Sequence, residues 1–123
     1  MARTFAEKIF NAPAGAIVFA QPDIILTHDN TSSIYQTFQK MGGKEVADAD
    51  QMLVVLDHNA PPADAKLATQ YQDIRNIVVR HGIKKFYDAG KGICHQVMSY
   101  HARPGMLIVG SDSHTSTAGA FNA

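Results

Sequence analysis

The chain has 123 residues, of which 46% are hydrophobic, and its eleven basic and eleven acidic side chains give a formal net charge of zero. This size allows one domain with a hydrophobic core but not two. The zero net charge argues against a basic surface for nucleic acid or anionic membranes, so neither partner is expected. The single cysteine, Cys94, cannot form an internal disulfide and suits a reducing, cytoplasmic compartment. We find no apolar run long enough to span a bilayer, and residues 1–7 lack a signal-peptide core.

The first half of the chain predicts two helices and two strands. Residues 4–10 place apolar side chains on one helical face, and residues 30–39 begin with Asn-Thr, either of which can cap a helix. Residues 24–26 form a short apolar run typical of a buried strand. Residues 52–56 are five apolar residues in a row, which indicates a strand buried on both faces.

The second half of the chain continues the alternation of helices and strands. Pro61–Pro62 is expected to open a long helix, whose apolar side chains recur at spacings of three and four until Gly82. A strand at 83–87, a helix at 94–101 and a buried strand at 106–109 follow. Strands that alternate with helices at this spacing predict an α/β fold, with three α/β/α layers and a mostly parallel sheet.

The end of the chain does not form a complete predicted element. Residues 115–123 resemble the first half of a helix that stops midway, so we interpret residues 1–123 as a partial, truncated α/β domain. The apolar strands at 52–56 and 106–109 would normally be covered on both faces by helices. If one covering helix is incomplete, the isolated chain is expected to self-associate or aggregate.

Polar side chains follow the carboxyl ends of all four predicted strands, where ligands bind in open α/β sheets. They are His28–Asp29, Asp57–His58, Asp88 with His95 further along, and Asp112–Ser113–His114. A single His/Asp pair is more often a structural contact than a catalytic dyad, but repetition at several strand ends favours a functional site. Paired imidazoles and carboxylates move protons near neutral pH, and the same groups bind zinc, iron or manganese. The residues alone leave both interpretations open.

Other features have simpler structural explanations. His81 and His101 lie late in predicted helices, where we expect them to contact the last carbonyls. Gly90–Lys91–Gly92 lacks the upstream glycine and the following Ser or Thr of a phosphate-binding loop. Ser113 is not part of a G-x-S-x-G nucleophile motif. Cys94 is most simply a small buried thiol.

Three sequence strings resemble motifs of the aconitase superfamily and occur in the same order. They are Asp57–His58–Asn59, Gly92–Ile93–Cys94–His95–Gln96 and Gly110–Ser111–Asp112–Ser113–His114–Thr115. Pro104–Gly105 and Ala118–Phe121 match as well, so the resemblance covers nearly the whole chain. It implies the first part of a multi-domain aconitase-like fold and an iron–sulfur hydro-lyase, which isomerises a hydroxy acid by removing and re-adding water. It also implies a 4Fe-4S cluster that acts as a Lewis acid.

The resemblance implies catalytic roles for five residues. Asp57 and His58 form a pair that helps to protonate the departing hydroxyl. His95 and Asp112 form a second pair near the cluster. His114 lies beside the iron-bound water.

Two further residues are implied to bind the substrate. Ser113 contacts a substrate carboxylate, and His28 matches a position that is histidine in isopropylmalate-type enzymes. Together with residues 27–32, this favours the isopropylmalate or homoaconitate branch. The resemblance also implies a small subunit as partner. It does not choose among isopropylmalate, homoaconitate, aconitate and dimethylmalate as substrate.

The chain also departs from the family pattern. Family members are several times longer, and their three cluster cysteines are expected downstream of Ala123, one alone and two as C-x-x-C. Cys94 stands where the family usually has an aliphatic residue and is not expected to be a ligand. The serine base and the substrate-binding arginines also belong to other regions, so the chain alone is expected to be inactive. Two alternatives remain: a truncated, non-catalytic binding module, and a mononuclear metal hydrolase that uses the same His/Asp residues.

Overall fold

The computed structural model describes residues 2–123, along which strands alternate with helices. The strands are β1 (Ile24–Thr27), β2 (Met52–Val55), β3 (Lys85–Tyr87) and β4 (Ile108–Gly110). The α-helices are α1 (Phe5–Phe10), α2 (Thr31–Lys40), α3 (Ala65–His81) and α4 (Cys94–His101). Two 3-10 helices occupy Ala49–Gln51 and Thr115–Phe121. No helix within residues 2–123 is both long and apolar enough to cross a membrane.

The four strands form one parallel sheet in the order β3-β2-β1-β4. Ile25 of β1 is in register with Met52 of β2 on one side and Val109 of β4 on the other. This order brings the carboxyl ends of β2, β1 and β4 together and leaves β3 at the far edge. The predicted α/β class with a parallel sheet is confirmed.

Strand β2 divides the core into two layers. Leu53 and Val55 face α4 and the second 3-10 helix, whereas Val54 and the following Leu56 face α3. All four side chains are fully buried. Because successive side chains of a strand point to opposite faces, an uninterrupted apolar strand requires cover on both. The apolar run in the sequence therefore predicted the three-layer arrangement correctly.

Some predicted element boundaries were wrong. Helix α3 begins at Ala65 rather than at the prolines, because the Asp64 side chain accepts the backbone N–H of Leu67 at 2.8 Å and caps it there. It ends at Gly82, whose φ of 65° is the left-handed conformation that glycine adopts readily. The segment predicted to begin an α-helix, 115–123, is instead a 3-10 helix that ends at Phe121.

The last strand and two histidines also differ from expectation. Strand β4 covers 108–110, not 106–109. Val109 is half exposed, because it points to the opposite face from Ile108 and packs on neither core cluster. His81 and His101 do not contact the last carbonyls of their helices. Instead His81 Nε2 lies 3.1 Å from the Tyr35 hydroxyl, and His101 Nε2 lies 2.8 Å from the Tyr87 hydroxyl. Both rings are held by tertiary contacts that helix position alone does not reveal.

The central position of β2 leads to a stability prediction. Leu53→Ala removes a fully buried side chain and should lower the free energy of unfolding by about 2–5 kcal/mol. The control, Val79→Ala on the exposed face of α3, should change it by no more than about 0.5 kcal/mol. Denaturant titration of the two variants measures both values, and equal effects would contradict the placement of β2 in the core.

Candidate active site at the carboxyl ends of the strands

The sheet order brings together every candidate catalytic and substrate-binding residue named from the sequence. His28 follows β1, while Asp57 and His58 follow β2. Asp112, Ser113 and His114 follow β4, and His95 lies in the first turn of α4, which packs beneath them. Of the polar residues at strand ends, Asp88 alone lies apart, because it follows the edge strand β3 and forms a two-point ion pair with Arg75, at 2.8 and 2.9 Å.

His58 lies between two carboxylates. Its Nδ1 is 2.7 Å from Asp57 Oδ1, and its Nε2 is 3.2 Å from Asp112 Oδ2. A neutral imidazole has a single N–H, so only the imidazolium can donate to both acceptors. The hydrogen bond to Asp57 raises the pKa of His58 above its ordinary 6.5; burial opposes this, and Asp112 adds to it. The surroundings therefore favour the protonated form of His58.

Asp112 is the acceptor shared by the histidines. Its Oδ1 accepts the backbone N–H of His114 at 2.7 Å and the Nε2–H of His95 at 2.8 Å. The backbone bond from His114, followed by His95 and His58, holds the pKa of Asp112 at about 2. Asp112 is consequently an anion throughout the range in which histidine titrates, and it links His58 to His95.

His28 is the aromatic neighbour of His58. The two rings stack with centroids 4.0 Å apart and an interplanar angle of 22°. Burial and the adjacent positive His58 lower the pKa of His28. Its Nδ1 is buried and has no hydrogen-bond partner among residues 2–123. His28 thus lies against His58 with a lowered pKa, and its buried Nδ1 is left without a partner.

Ser113 and His114 form the exposed side of the cluster. Ser113 Oγ lies 3.1 Å from His114 Nδ1, and the His114 side chain is 76% exposed. The His114 ring approaches that of His95 edge-on, with centroids 6.0 Å apart. A hydroxyl and an imidazole that both face solvent are suited to meeting an incoming carboxylate.

The sequence interpretation did not identify the group that supports this cluster. Asp29 appeared there as one more carboxylate at a strand end, but its buried side chain accepts hydrogen bonds from Asn59, from Tyr71 and from the backbone of 57–59. Tyr71 lies on the buried face of α3, whose apolar spacing predicted the helix. A tyrosine on a buried helix face requires a partner for its hydroxyl, and that signal pointed to a polar group nearby.

The residues present do not fit an iron–sulfur cluster. Such clusters bind thiolates, and the one cysteine, Cys94, is fully buried in the core behind α4. Burial, followed by the adjacent Asp57, raises the pKa of its thiol to about 12. The backbone N–H of Cys94 donates to Asp57 Oδ2 at 2.6 Å, so Asp57 also caps α4. The expectation that Cys94 is a buried thiol is confirmed.

The carboxylates favour proton transfer over metal ligation. Asp29 accepts five donors, and Asp112 accepts N–H groups from His58, His95 and His114. A carboxylate offers about four lone-pair positions, so the five donors fill those of Asp29, whereas the three donors on Asp112 leave one position open. The mononuclear metal hydrolase is therefore the less favoured alternative.

The fold and the cluster define an α/β protein whose histidines and carboxylates are arranged for moving protons at the carboxyl end of a parallel sheet. Residues 4–123 match the family model described as "Aconitase family (aconitate hydratase)". The chain therefore belongs to the aconitase family.

Three relatives show where in the family its similarities lie. The chain is 41% identical to 3-isopropylmalate dehydratase large subunit 1 of Methanopyrus kandleri, over 100% of this chain and 32% of that protein. It is 40% identical to the 3-isopropylmalate dehydratase large subunit of Herpetosiphon aurantiacus, with the same coverage. It is 37% identical to the methanogen homoaconitase large subunit of Methanocaldococcus jannaschii, over 98% of this chain and 30% of that protein. The chain thus spans about a third of the length of these relatives.

The low pKa of Asp112 predicts that the difference in stability between the wild type and Asp112→Asn depends on pH. A folded-state pKa of about 2, below the unfolded 3.8, adds stability above pH 3.8 that is lost as the pH falls through about 2. Asp112→Asn removes this contribution, so its destabilisation relative to wild type should shrink as the pH falls below 3.8. Asp73→Asn, on the exposed face of α3, is the control. Denaturant titrations across this range measure the difference, and a destabilisation independent of pH would contradict the hydrogen-bonded anion.

Proposed function

We propose that the chain supplies the proton-carrying part of the active site of a hydro-lyase, which isomerises a hydroxy acid by dehydration and rehydration. The observation that carries this proposal is the position of His58 between Asp57 and Asp112. Membership of the aconitase family supports it, as do the names of the relatives, which are dehydratase and homoaconitase large subunits. Residues 1–123 then form part of the first α/β domain of a larger subunit.

His58 is the proposed general acid. Departure of a hydroxyl from carbon is easier when a proton reaches its oxygen as the bond breaks, because water then leaves instead of hydroxide. The Nδ1–H bond to Asp57 is the shorter one and fixes the ring, while the longer Nε2–H bond to Asp112 leaves that proton the easier to transfer. In rehydration the same nitrogen takes a proton back from water.

Asp112 and His95 are proposed to support this transfer. When His58 gives up its proton, Asp112 retains its negative charge, and the Nε2–H of His95 continues to stabilise that charge at 2.8 Å. The electrostatic surroundings of His58 therefore still favour the return of a proton. The pair prepares His58 for the next cycle without itself contacting the leaving group.

Substrate binding is assigned to the remaining residues. The His28 ring, which stacks on His58, and the exposed Ser113 and His114 are the groups proposed to meet the substrate carboxylates. The relatives named for 3-isopropylmalate and homoaconitate favour a hydroxy acid of that class.

The other parts of the catalyst are proposed to lie outside these residues. The family implies a 4Fe-4S cluster, which supplies Lewis-acid assistance when bound, and this chain offers no ligand set for it. We place the cluster cysteines, and the base that removes the carbon-bound proton, in the part of the relatives that this chain does not span. A small subunit is the proposed partner and the cytoplasm the proposed compartment, and the chain alone should be inactive.

A chimera tests this proposal. The matching segment of the Methanopyrus kandleri large subunit is replaced by this chain, the protein is combined with that organism's small subunit, and the cluster is rebuilt without oxygen. We expect turnover of 3-isopropylmalate or homoaconitate. His58→Gln should lower kcat by about 10²–10⁴-fold, the usual contribution of a general acid, without changing cluster content.

His101→Gln is the matched control, because it alters a histidine outside the site whose partner is Tyr87. Its kcat should stay close to that of the unmodified chimera. A chimera that is inactive on every hydroxy acid while the parent is active would contradict the proposed function. Full activity of His58→Gln would contradict the role of His58 alone.

A further inference from the structure

Asp29 has the densest set of hydrogen bonds in the site. Its Oδ1 accepts the backbone N–H groups of Asp57 at 3.0 Å and His58 at 3.3 Å. Its Oδ2 accepts the backbone and side-chain N–H groups of Asn59 at 2.7 and 2.9 Å, and the hydroxyl of Tyr71 at 2.7 Å. The residue is 6% exposed, so these five bonds replace nearly all of its contact with water.

These bonds join three separate elements. Asp29 follows β1, the segment it binds follows β2, and Tyr71 belongs to α3. The Gln70 side chain of the same helix donates to the Asp29 carbonyl at 2.9 Å. The backbone of 57–59 is not part of a helix or strand, so the N–H groups of Asp57 and His58 depend on Asp29 for their hydrogen bonds. The N–H of Asn59 donates to Asp29 and also lies 3.2 Å from the Tyr71 hydroxyl.

We propose that Asp29 is a positioning residue, which fixes the backbone of 57–59 and so holds His58 between Asp57 and Asp112. The inference rests on the proposed function for its catalytic meaning, but its structural claim concerns this chain alone. Asp29 has no polar contact with the His58 ring. It acts on the proton carrier through the main chain of the segment that bears it.

The geometry of His58 makes this support necessary. The separation between His58 Nε2 and Asp112 Oδ2 is 3.2 Å, at the upper end of normal hydrogen-bond lengths of about 2.7–3.2 Å. A shift of the segment by a few tenths of an ångström in the wrong direction would break this bond. Because Asp112 lies on a different loop, the two groups stay in reach only while the position of 57–59 is fixed as well as that of Asp112, which His95 and His114 hold.

The five hydrogen bonds to Asp29 require a carboxylate at this position. All five partners of Asp29 are donors, and an ionised carboxylate is the side chain that only accepts. Burial disfavours the anion, but the bonds from Tyr71 and Asn59, and from the backbone of 57–58, outweigh it and lower the pKa of Asp29. Asparagine has the same shape but would direct an NH₂ group at donors. Asp29→Asn is therefore the appropriate substitution.

The test observes the ring N–H groups of His58 by ¹⁵N–¹H NMR in the 123-residue chain, at a pH below the His58 pKa measured for each variant, so that the imidazolium is present in all of them. Wild type should show two protected ring N–H signals, one for each carboxylate. In Asp29→Asn we expect both to be lost through exchange with water. The lost charge of Asp29 alone would lower the pKa of His58 but leave the two signals in place at this pH.

Two further variants complete the design. Tyr71→Phe keeps the Asp29 charge and removes one donor, so the His58 signals should weaken without disappearing. Asp88→Asn removes a carboxylate that also follows a strand but pairs with Arg75, and it should leave them unchanged.

A folded Asp29→Asn variant with unchanged His58 signals would overturn the proposal, because Asp29 would then be only structural. Should that variant not fold, unchanged signals in Tyr71→Phe would overturn it equally. The chimera separates the proposed hydro-lyase function from the positioning role of Asp29. An inactive chimera contradicts the proposed function and leaves the NMR result standing, whereas loss of kcat together with the His58 signals in Asp29→Asn supports both.

Discussion

The bridge that His58 makes between Asp57 and Asp112 is the interaction on which the site depends. Strands β2 and β4 are not neighbours, because β1 lies between them. With parallel strands about 4.8 Å apart, their ends are about 10 Å from each other, and the long imidazole side chain closes this gap. It crosses over the end of β1, which is why the ring of His28 stacks on it at 4.0 Å. The strand order thus accounts for both the hydrogen bonds and the stacking.

Fold and site share the same polar groups. Asp57 orients His58 with one oxygen and caps α4 with the other, and α4 in turn carries His95 to Asp112. On the other side of the sheet, Asp29 connects the segment after β2 to Tyr71 of α3, whose ring is part of the core. Each of these carboxylates satisfies backbone groups that would otherwise be buried without partners. The geometry of the proposed proton-transfer site therefore depends on the packing of both helical layers.

The sequence was informative where the signal is local. The apolar run of β2 predicted its double burial, and α4 was predicted with the observed bounds, 94–101. The polar residues at the ends of three strands predicted side chains that the structure brings together. Strand order, however, depends on tertiary pairing, so nothing in the sequence revealed that Asp88 follows an edge strand or that Val109 is exposed. The role of Asp29 was missed for the same reason, since its partners lie about 30 and about 40 residues away.

The most direct test of the bridge is an NMR pH titration of the six histidines of the wild-type chain. We predict that His58 titrates above 6.5, because two carboxylates hold its imidazolium, and that His28 titrates below 6.5, because it is partly buried beside that charge. Below the pKa of His58, both of its ring N–H groups should be protected from exchange. If His58 titrated at or below the pKa of His28, or if either ring N–H exchanged freely with water, the account of a proton stored between two carboxylates would be contradicted.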